Sequence, residues 1–516
     1  MKLADLLHMI YPVRQQGHIS GPLGRLRLDS RSVRKKDAFI ALRGTSSDGH
    51  RYIKDAIRKG ARLIIAEHIP EEFLSDDLST IKRVPDEVMF LQVADTRRIV
   101  GDLAQAFTGN PARSMKMVGV TGTNGKTTVC TLVYQVMRQL GYNTGLLGTV
   151  QTRVGDRTFE SALTTPDAIR LAEILREMAD LDTAFAVMEV SSHALEQQRV
   201  GGIRFDVAAF TNISQDHLDY HQDMDSYIDA KKRLFTILDS RAIAIVNRDD
   251  PASGKLLDGC RAHIWEFGFA DDRDFRILDE APDGLVLDLD GTIVSTPLTG
   301  RYNAYNAAQA YLICLALGCA KNNVAAALGQ AYGAPGRLER VMPLSCEVPP
   351  SPKAFVDYAH TPDALRNVLQ TLSGVCEQDD TLHVVFGCGG DRDRQKRPEM
   401  GRIADKYADI ITITSDNPRT EDPDAIIRDI RKGVTRTENI FVEPNRRKAI
   451  RSAIIEADIR TMVLIAGKGH ERYQEVHGRK QKFDDREIAE KALREWIERR
   501  ASGKRRRSVK KRKEVN

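Results

Sequence analysis

A glycine-containing segment near residue 120 combines the residue types that bind phosphate. It follows an apolar run, opens a segment with helical spacing, and reads Val118-Gly119-Val120-Thr121-Gly122-Thr123-Asn124-Gly125-Lys126-Thr127-Thr128. Glycines let backbone N–H groups approach a phosphate closely, Lys126 can reach its β and γ oxygens, and Thr127 can bind Mg²⁺. The strict spacing of a nucleotide-binding loop requires glycine at position 120, where this chain has valine. The segment therefore predicts a variant phosphate-binding loop.

Two further apolar runs end in candidate metal ligands. Glu189 closes the run 184–188, and His217 follows the run 207–210 within Gln215-Asp216-His217-Leu218-Asp219-Tyr220-His221. A phosphate-binding loop needs acidic metal ligands on a neighbouring strand. We therefore predict that Glu189 and His217 bind metal, although a lone histidine near a strand end is usually structural.

The elements that position these candidate residues form two series, in which apolar runs alternate with segments that have the apolar spacing of a helix. The first series comprises residues 116–120, 184–190, 207–210 and 242–246, and the second comprises 354–356, 382–386, 410–414 and 462–466. This alternation is typical of parallel sheets wrapped by helices. Polar residues follow the runs, which places them at the carboxyl ends of the strands, where open α/β sheets bind ligands.

Composition narrows the class of protein. No apolar run approaches the roughly 20 residues of a membrane helix, and the start of the chain lacks the layout of a signal peptide, so we expect a cytoplasmic protein without membrane insertion. The net charge is +5, but residues 504–516 hold eight Lys/Arg and one Glu, which leaves the body near −2. Such a basic tail could bind nucleic acid. We predict that the protein has no nucleic-acid partner, because the rest of the chain is nearly neutral and shows no pattern of stacking aromatic residues.

Taken together, the motifs resemble those of the Mur ligases, and within them the ligases that add the third amino acid of the peptidoglycan stem peptide. The similarity extends to about residue 500 and rests, in chain order, on Gly122-Thr123-Asn124-Gly125-Lys126-Thr127-Thr128, Glu189-Val190-Ser191-Ser192-His193, Asp216-His217-Leu218-Asp219, Tyr227-x-x-x-Lys231-x-x-Leu234-Phe235, Asn303-x-x-Asn306, Pro335-Gly336-Arg337, Asp357-Tyr358-Ala359-His360-Thr361-Pro362 and Asp416-Asn417-Pro418-Arg419.

The length of 516 residues favours several hydrophobic cores. We predict an α/β protein of three domains: a smaller N-terminal α/β domain that binds the UDP-sugar (residues 1–112), a central ATP-binding P-loop-type domain with a mostly parallel sheet (113–336), and a C-terminal Rossmann-like α/β domain that binds an amino acid (337–500). Residues 501–516 are predicted to form a disordered basic tail.

The resemblance implies ATP as co-substrate and two Mg²⁺ ions. The nucleotide contacts are expected at Gly122, Thr123, Asn124, Gly125, Lys126, Thr127, Thr128, Asn306, Arg337 and Asp357, and the catalytic residues at Lys126, Lys231, His217 and Arg337. Lys231 resembles the family's carbamylated lysine (N6-carboxylysine). Its carbamate and His217 would support one Mg²⁺, and Thr127 and Glu189 complete the metal set. Asn303 is a weaker nucleotide candidate that could serve only to support a turn.

The resemblance also implies two substrate sites. The UDP-sugar peptide is expected at Ser30, Thr164, Thr165, Ser191, Gln197 and Arg199. The loop 45–47 is a further candidate, for which substrate binding and simple turn formation are equally supported. The amino acid is expected at Arg392, Asp416, Asn417, Pro418, Arg419, Gly467 and Glu471. Arg419 can form a bidentate pair with a carboxylate. Lysine-adding relatives commonly carry Asp where this chain has neutral Asn417, which favours meso-2,6-diaminopimelate.

The reaction implied by the resemblance is ATP-dependent peptide ligation. ATP would phosphorylate the D-glutamate γ-carboxylate of UDP-N-acetylmuramoyl-L-alanyl-D-glutamate, and diaminopimelate would attack the acyl phosphate, in cytoplasmic synthesis of peptidoglycan precursors by a monomeric enzyme. Two alternatives stay open at this point: the same ligase adding L-lysine, or a folylpolyglutamate synthetase-like ligase.

Overall fold

In the computed structural model, the described residues are 3–44, 47–70, 73, 87–161, 163–214, 216, 218–271, 274–342 and 350–501. They form two compact units. One contains residues 1–276, 289–292 and 305–328, and the other contains 277–288, 293–304 and 329–516. His217, Thr45, Ser46 and the tail from residue 502 lie outside the described residues.

The N-terminal region is a five-stranded sheet with helices on both faces. The strands are β1 (Arg14–Gly17), β2 (Leu26–Arg27), β3 (Ala38–Ile40), β4 (Leu63–Ala66) and β5 (Met89–Gln92), and the helices are α1 (Leu3–Ile10), α2 (Ile53–Arg58) and α3 (Thr96–Phe107). The strand order is β1-β5-β4-β3-β2, with only β1 antiparallel to its neighbour. Strands β3 and β4 are apolar and buried throughout, as expected for a parallel sheet covered on both faces.

The central region is built on an eight-stranded sheet. Its strands are β6 (Lys116–Thr121), β7 (Thr144–Leu147), β8 (Thr152–Val154), β9 (Arg157–Phe159), β10 (Phe185–Glu189), β11 (Val207–Phe210), β12 (Ile243–Asn247) and β13 (His263–Phe267), and its helices are α4 (Lys126–Gln139), α5 (Ala168–Ala179), α6 (Ser192–Glu196), α7 (Leu218–His221), α8 (Met224–Thr236) and α9 (Ser253–Leu257).

The order of this sheet is β13-β12-β11-β6-β10-β7-β8-β9, and the six strands from β13 to β7 are parallel. Strand β6 is therefore central, between β10 and β11. Its carboxyl end, and those of its two neighbours, meet at one edge, where the phosphate-binding segment begins. The helix α4 buries Val129, Leu132, Val133 and Val136 against the sheet.

A linking segment follows the central sheet. It comprises a three-stranded sheet and two helices, namely β14 (Phe275–Ala281), β15 (Gly284–Leu289), β16 (Thr292–Thr296), α10 (Arg301–Ala316) and α11 (Lys321–Leu328). The two compact units divide within these elements, so the predicted domain boundaries stay a prediction.

The C-terminal region contains a six-stranded sheet and a small hairpin. Its strands are β17 (Glu339–Val341), β18 (Lys353–Asp357), β19 (Thr381–Phe386), β20 (Ile410–Ile413), β21 (Ile440–Val442), β22 (Thr461–Ala466), β23 (Tyr473–Val476) and β24 (Arg479–Lys482), and its helices are α12 (Pro362–Gly374), α13 (Lys396–Tyr407), α14 (Pro423–Arg431), α15 (Arg446–Ile455) and α16 (Asp485–Ala501). The order β17-β18-β22-β19-β20-β21 is parallel except for β17. Helices α12 to α14 contribute to the core on one face, and α15 and α16 to the core on the other.

The predicted α/β class with mostly parallel sheets is confirmed. The eight strands predicted from apolar runs agree with the observed strands to within one residue at either end. None of the helices within the described residues is long and apolar enough to cross a membrane.

Candidate active site

The phosphate-binding segment is a tight loop between β6 and α4, and two of its glycines are required by close contacts. Gly122 has φ +146°, and a Cβ atom there would lie 1.9 Å from Thr211 Oγ1. Gly125 has φ +86°, and a Cβ atom there would lie 2.4 Å from Asn306 Oδ1. Helix α4 starts directly at Lys126, so its positive end faces the loop. The structure thus brings the predicted nucleotide contact Asn306 to the loop.

Two lysines converge on one carbonyl group of this loop. Lys126 Nζ donates to Gly122 O at 2.9 Å and to Thr123 O at 2.8 Å, and Lys231 Nζ donates to the same Gly122 O at 2.8 Å. Lys231 is only 1% exposed, and burial, reinforced by the charge of Lys126, holds its pKa well below the ordinary lysine value. Its amine lies 4.3 Å from the ring centre of Tyr227. Burial and the neighbouring cation therefore favour the neutral form of the Lys231 amine.

Tyr227 closes the same region from helix α8. Its hydroxyl lies 3.2 Å from Thr123 Oγ1, and burial raises the pKa of Tyr227 to about 12. The hydroxyl consequently stays protonated at neutral pH and keeps the loop in contact with the helix that carries Lys231.

Glu189, at the end of β10, is buried against two threonines. Thr127 Oγ1 donates to Glu189 Oε2 at 2.9 Å, Thr149 N donates to Oε1 at 2.6 Å, and Thr149 Oγ1 donates to Oε2 at 3.0 Å. A Cβ atom on Gly148 would lie 2.6 Å from Glu189 Oε1, so glycine is needed for this approach. Sequence reasoning missed Thr149. Its position after β7, a neighbour of β10 in the sheet, was the available signal.

The metal ligands predicted from the sequence are only partly testable in the described residues. Thr127 and Glu189 lie together, and Lys231 reaches the same loop, whereas His217 is not described. Among the described residues, no cluster of three or more His, Cys, Asp or Glu side chains could hold a metal ion. The predicted set does not need such a cluster, because it combines a hydroxyl, one carboxylate, one imidazole and a modified lysine.

Most residues predicted for the UDP-sugar peptide form one hydrogen-bonded group beside Glu189. Thr165 Oγ1 donates to Glu189 O at 2.8 Å, and Ser191 N donates to Thr165 Oγ1 at 3.1 Å. Arg199 Nη1 donates to Thr165 O at 2.8 Å and Arg199 Nη2 donates to Gln197 Oε1 at 2.7 Å. Burial lowers the pKa of Arg199, which still stays charged at neutral pH.

Thr164 and Ser30 complete the predicted substrate set. Thr164 Oγ1 lies within hydrogen-bond distance of Thr149 Oγ1, at 3.0 Å, and Thr149 links the group to Glu189. Ser30 belongs to the N-terminal region, where its carbonyl accepts from Val33 N at 3.4 Å, and within the described part of the chain it shares no hydrogen bond with the other five. Five of the six residues are thus brought together.

In the second compact unit, Asp357 is the last residue of β18 and Arg337 lies two residues before β17. Leu338 N and Ala359 N donate to Asp357 Oδ2 and Oδ1 at 2.6 and 2.7 Å. Burial raises the pKa of Asp357, and the charge of Arg337 opposes that shift. The Arg337 guanidinium lies 5.0 Å from the ring centre of Tyr358, which restricts where it can point.

Asn303 also belongs to this unit. Its Nδ2 donates to Thr299 O at 2.8 Å, a contact within its own turn. This contact agrees with the supporting role that the sequence allowed for Asn303.

Apart from Arg392, which follows β19, the residues predicted for the amino acid lie in two loops, which we call the amino-acid loops: residues 416–419 after β20 and 467–471 after β22. Asn417 Nδ2 donates to Glu471 Oε2 at 2.9 Å and joins them. A Cβ atom on Gly467 would lie 2.6 Å from Asp416 Oδ2, so these loops approach as closely as glycine permits. Burial raises the pKa of Asp416, with the charges of Arg446 and Lys468 acting against it.

The two predicted arginines of this site are held differently. Arg419 has φ +52°, its Nη1 donates to Gly390 O at 2.6 Å, and its Nε lies 3.6 Å from Glu475 Oε2. Arg392 is exposed. A Cβ atom on Gly389 would lie 3.0 Å from Arg419 Nη1 and 3.7 Å from Arg392 Cγ, so both arginines border the same glycine.

Sequence reasoning missed the buried charges behind the amino-acid loops. Arg446, the first residue of α15, donates to Asp485 Oδ1 and Oδ2 at 2.9 and 2.6 Å, and both side chains are 0% exposed. Its Nη2 also donates to Ala466 O at 3.0 Å and its Nη1 to Ser415 O at 3.4 Å. One guanidinium therefore connects the starts of both loops. The local sequence around Arg446 contains no motif that indicates this role.

Three family models match successive parts of the chain. The Mur ligase family catalytic domain matches residues 24–108, the Mur ligase middle domain matches 120–314, and the Mur ligase glutamate ligase domain matches 336–469.

Curated proteins named UDP-N-acetylmuramoyl-L-alanyl-D-glutamate--2,6-diaminopimelate ligase are similar over nearly the full length. The protein from Phocaeicola vulgatus is 38% identical over 492 residues, which cover 95% of this chain and 98% of that protein. The protein from Cytophaga hutchinsonii is 39% identical over 497 residues, with 96% and 99% covered. The protein from Geobacillus kaustophilus is 40% identical over 483 residues, with 91% and 94% covered.

Solved structures agree with these matches. A structure of a UDP-N-acetylmuramoyl-L-alanyl-D-glutamate--2,6-diaminopimelate ligase is 30% identical, with a TM-score of 0.68, and the similarity covers 92% of this chain and 96% of that one. A crystal structure of MurF from Acinetobacter baumannii, 20% identical with a TM-score of 0.59 and 96% and 98% covered, shares the fold.

Proposed function

The chain belongs to the Mur ligase family of ATP-dependent, amide-bond-forming ligases, and on that premise we propose that it joins meso-2,6-diaminopimelate to UDP-N-acetylmuramoyl-L-alanyl-D-glutamate. The bond forms between the D-glutamate γ-carboxylate and an amine of diaminopimelate, and ADP and phosphate are released. The observation that carries the choice of amino acid is the neutral Asn417, held at the head of a loop that also presents Arg419.

The first chemical step brings two anions together. A γ-carboxylate oxygen attacks the γ-phosphorus of ATP, the bond to the β,γ-bridging oxygen breaks, and ADP leaves with that electron pair. Lys126 supplies positive charge at the phosphoryl group, and the start of α4 supplies backbone N–H groups. We assign Gly122, Thr123, Asn124, Gly125, Thr128, Asn306, Arg337 and Asp357 to nucleotide binding.

The second step forms the amide. The amine nitrogen attacks the acyl carbon, phosphate leaves, and the nitrogen gives up a proton. Exclusion of water protects the acyl phosphate from hydrolysis. The group formed by Thr164, Thr165, Ser191, Gln197 and Arg199 adjoins Glu189, so a substrate bound there lies at the same sheet edge as the phosphate-binding loop.

Mg²⁺ fits the oxygen donors at the phosphate-binding loop. Thr127 Oγ1 and Glu189 Oε2 are 2.9 Å apart, and hydroxyl and carboxylate oxygens are ligands that Mg²⁺ prefers. We propose that these two residues hold one of the two Mg²⁺ ions, and that His217 and a modified Lys231 hold the other. When bound, the ions neutralise phosphate charge.

Modification of Lys231 by CO₂ is supported by its surroundings. Carbamylation requires a neutral amine, whose nitrogen bonds to the carbon of CO₂ and loses a proton. Burial and the nearby Lys126 favour the neutral amine, and the resulting carbamate is an anion beside that same cation. The like-charge repulsion between the two lysines is thereby replaced by an attraction.

Selection of diaminopimelate follows from the charges in the amino-acid loops. Diaminopimelate and lysine differ at the distal end, where diaminopimelate carries a carboxylate as well as an ammonium. Arg419 and Arg392 can pair with that carboxylate, and Glu471 with the ammonium. A pocket that pairs a substrate carboxylate rejects an analogue that lacks it, because its arginine is left unpaired, and roughly 10³-fold discrimination is reasonable.

Competition between the two amino acids tests the proposal. The purified protein is incubated with the UDP-linked dipeptide, ATP and equal concentrations of diaminopimelate and L-lysine, and the products are identified by mass spectrometry. We expect the diaminopimelate adduct to predominate, and Arg419→Ala to lose diaminopimelate use before lysine use. Predominant incorporation of lysine refutes the choice of amino acid, and failure to ligate either refutes the substrate pair.

We also propose that the enzyme acts as a monomer in the cytoplasm, where ATP and UDP-linked precursors are available. The predicted three domains each supply a distinct binding role, so one chain suffices for the reaction. Light scattering during size-exclusion chromatography should report the mass of one chain, and a stable dimer contradicts the monomer.

A further inference from the structure

Lys468 is a fully buried cation within the amino-acid loops. Its side chain is 0% exposed, its Nζ donates to Asn417 Oδ1 and to Glu471 Oε2 at 3.0 Å each, and Asp416 Oδ1 lies 3.8 Å away. Lysine is almost never fully buried unless it is paired, because removing an ammonium from water is costly. Lys468 is buried among residues that are expected to contact the amino acid, which suggests a role in that site.

The contacts of Lys468 determine how Asn417 is oriented. Asn417 Oδ1 accepts from both Lys468 Nζ at 3.0 Å and Glu475 N at 2.9 Å. With the oxygen held by two donors, Nδ2 must point to the other side, where it donates to Glu471 Oε2 at 2.9 Å. An aspartate at position 417 would place two carboxylates at this distance and repel Glu471.

Lys468 also changes the charge that a ligand meets. The charged groups on the two loops and the adjoining strand β23 are the carboxylates Asp416, Glu471 and Glu475 and the cations Arg419 and Lys468. Without Lys468, Glu471 would lose its close cationic partner. The distal ammonium of lysine could then take the vacated position, while a second ligand carboxylate would meet extra repulsion.

We propose that Lys468 is a specificity-determining positioning residue, which holds Asn417 and Glu471 so that the pocket prefers an amino acid with a distal carboxylate and ammonium over one with an ammonium alone. This inference rests on the proposed function, since it concerns the same amino-acid site. Lys468 acts through Asn417 and Glu471 and takes no part in the bond-forming steps.

The test compares Lys468→Met with the unaltered enzyme, using initial rates with diaminopimelate and with L-lysine. We expect the ratio of kcat/KM for diaminopimelate to that for lysine to fall by about tenfold or more, mainly through a higher KM for diaminopimelate. The KM for ATP should not change. Lys468→Gln, which keeps a donor for Asn417 Oδ1, should fold more readily and retain part of the preference.

Lys432→Met is the matched control, because Lys432 lies in the same unit but its side chain is 70% exposed and pairs with Asp429. If the unaltered enzyme prefers lysine, the proposed function fails. If it prefers diaminopimelate and both Lys468 variants keep the full preference, only the role of Lys468 is overturned. An equal loss of kcat for both amino acids, with KM unchanged, also overturns it, because a purely structural role predicts that result.

Discussion

The phosphate-binding loop and the amino-acid loops both lie at the carboxyl ends of parallel strands, but they are built in opposite ways. The predicted phosphate-binding loop is one continuous segment, whose glycines and helix start would provide the binding groups. Glu189 hydrogen-bonds to Thr127 and Lys231 to Gly122. The amino-acid loops combine side chains from separate segments. Buried charges hold them in place, with Arg446 bonded to Asp485 and Lys468 bonded to Glu471.

This difference shows where recognition is local and where it depends on the whole domain. Backbone N–H groups at a helix start recognise phosphate in any protein that forms the turn. Discrimination between two amino acids that differ at one distal group requires side chains in fixed positions, and only packing and buried hydrogen bonds can fix them. The following substitutions test that comparison, from the largest expected effect to the smallest.

Lys126→Ala should lower turnover by about 10⁴-fold, because it removes the positive charge from the transferring phosphoryl group. Its ammonium donates hydrogen bonds to carbonyl groups of the loop, so the fold should persist. The rate of phosphate release measures turnover, and thermal unfolding shows whether the fold persists. Lys116→Ala is the control, since Lys116 is an exposed residue at the start of β6, the strand that precedes the loop. Near-normal ligation by Lys126→Ala would contradict the assignment of the loop.

Lys231→Ala should lower turnover by about 10³-fold, with partial rescue by short carboxylic acids that replace the carbamate. The pKa of Lys231 is lowered, and the unmodified amine is neutral when the pH is above that pKa. The modification should be lost as the pH falls through the pKa, because the amine then becomes protonated. Native mass spectrometry at neutral pH, with and without bicarbonate, detects the added CO₂. The neighbouring Lys232, paired with Asp258, provides the control variant Lys232→Ala. An unmodified Lys231 in active enzyme would contradict the proposed carbamylation.

Asp485→Asn should lower the free energy of unfolding by about 3 kcal/mol, because it leaves the buried Arg446 without its ionic partner. It should also raise the KM for diaminopimelate while the KM for ATP stays the same, since Arg446 connects the starts of both amino-acid loops. Urea unfolding and initial rates provide the measurements.

Glu495→Gln is the control for Asp485→Asn, because it breaks a partly exposed pair with Arg451 between the same two helices. That change should cost at most about 1 kcal/mol. Equal effects of the two substitutions would show that the buried pair has no special role.

Arg392→Ala should raise the KM for diaminopimelate only about threefold, because an exposed, loosely held guanidinium contributes little. Arg419→Ala should have a far larger effect, since hydrogen bonds with Gly390 and Glu475 hold Arg419 in place. Initial rates at varied diaminopimelate concentration compare the two. A larger effect at Arg392 would reverse the roles of the two arginines.

The sequence was sufficient for the elements that depend on local periodicity. The strands at the centre of both parallel sheets are buried on both faces, so their apolar runs were visible without further information. Helix α4 also follows from its spacing, and Gly141, with φ +87°, occupies the left-handed position after its end. The loop 122–128 was recognisable for the same reason, since its residues are consecutive.

The sequence by itself thus determined the α/β architecture and the glycine-containing loop between β6 and α4, because strand and helix periods and consecutive motifs are local properties. The resemblance of its motifs to a family supplied most of the candidate ligand residues, whose roles stay predictions. Only the tertiary structure decided that Thr149 contacts Glu189, that Lys231 is buried beside Lys126, and that Lys468 orients Asn417. Each of these contacts joins residues from different loops or helices. Their consequences depend on burial, which strengthens the interaction between charges and penalises an unpaired one, and burial is a property of the folded chain alone.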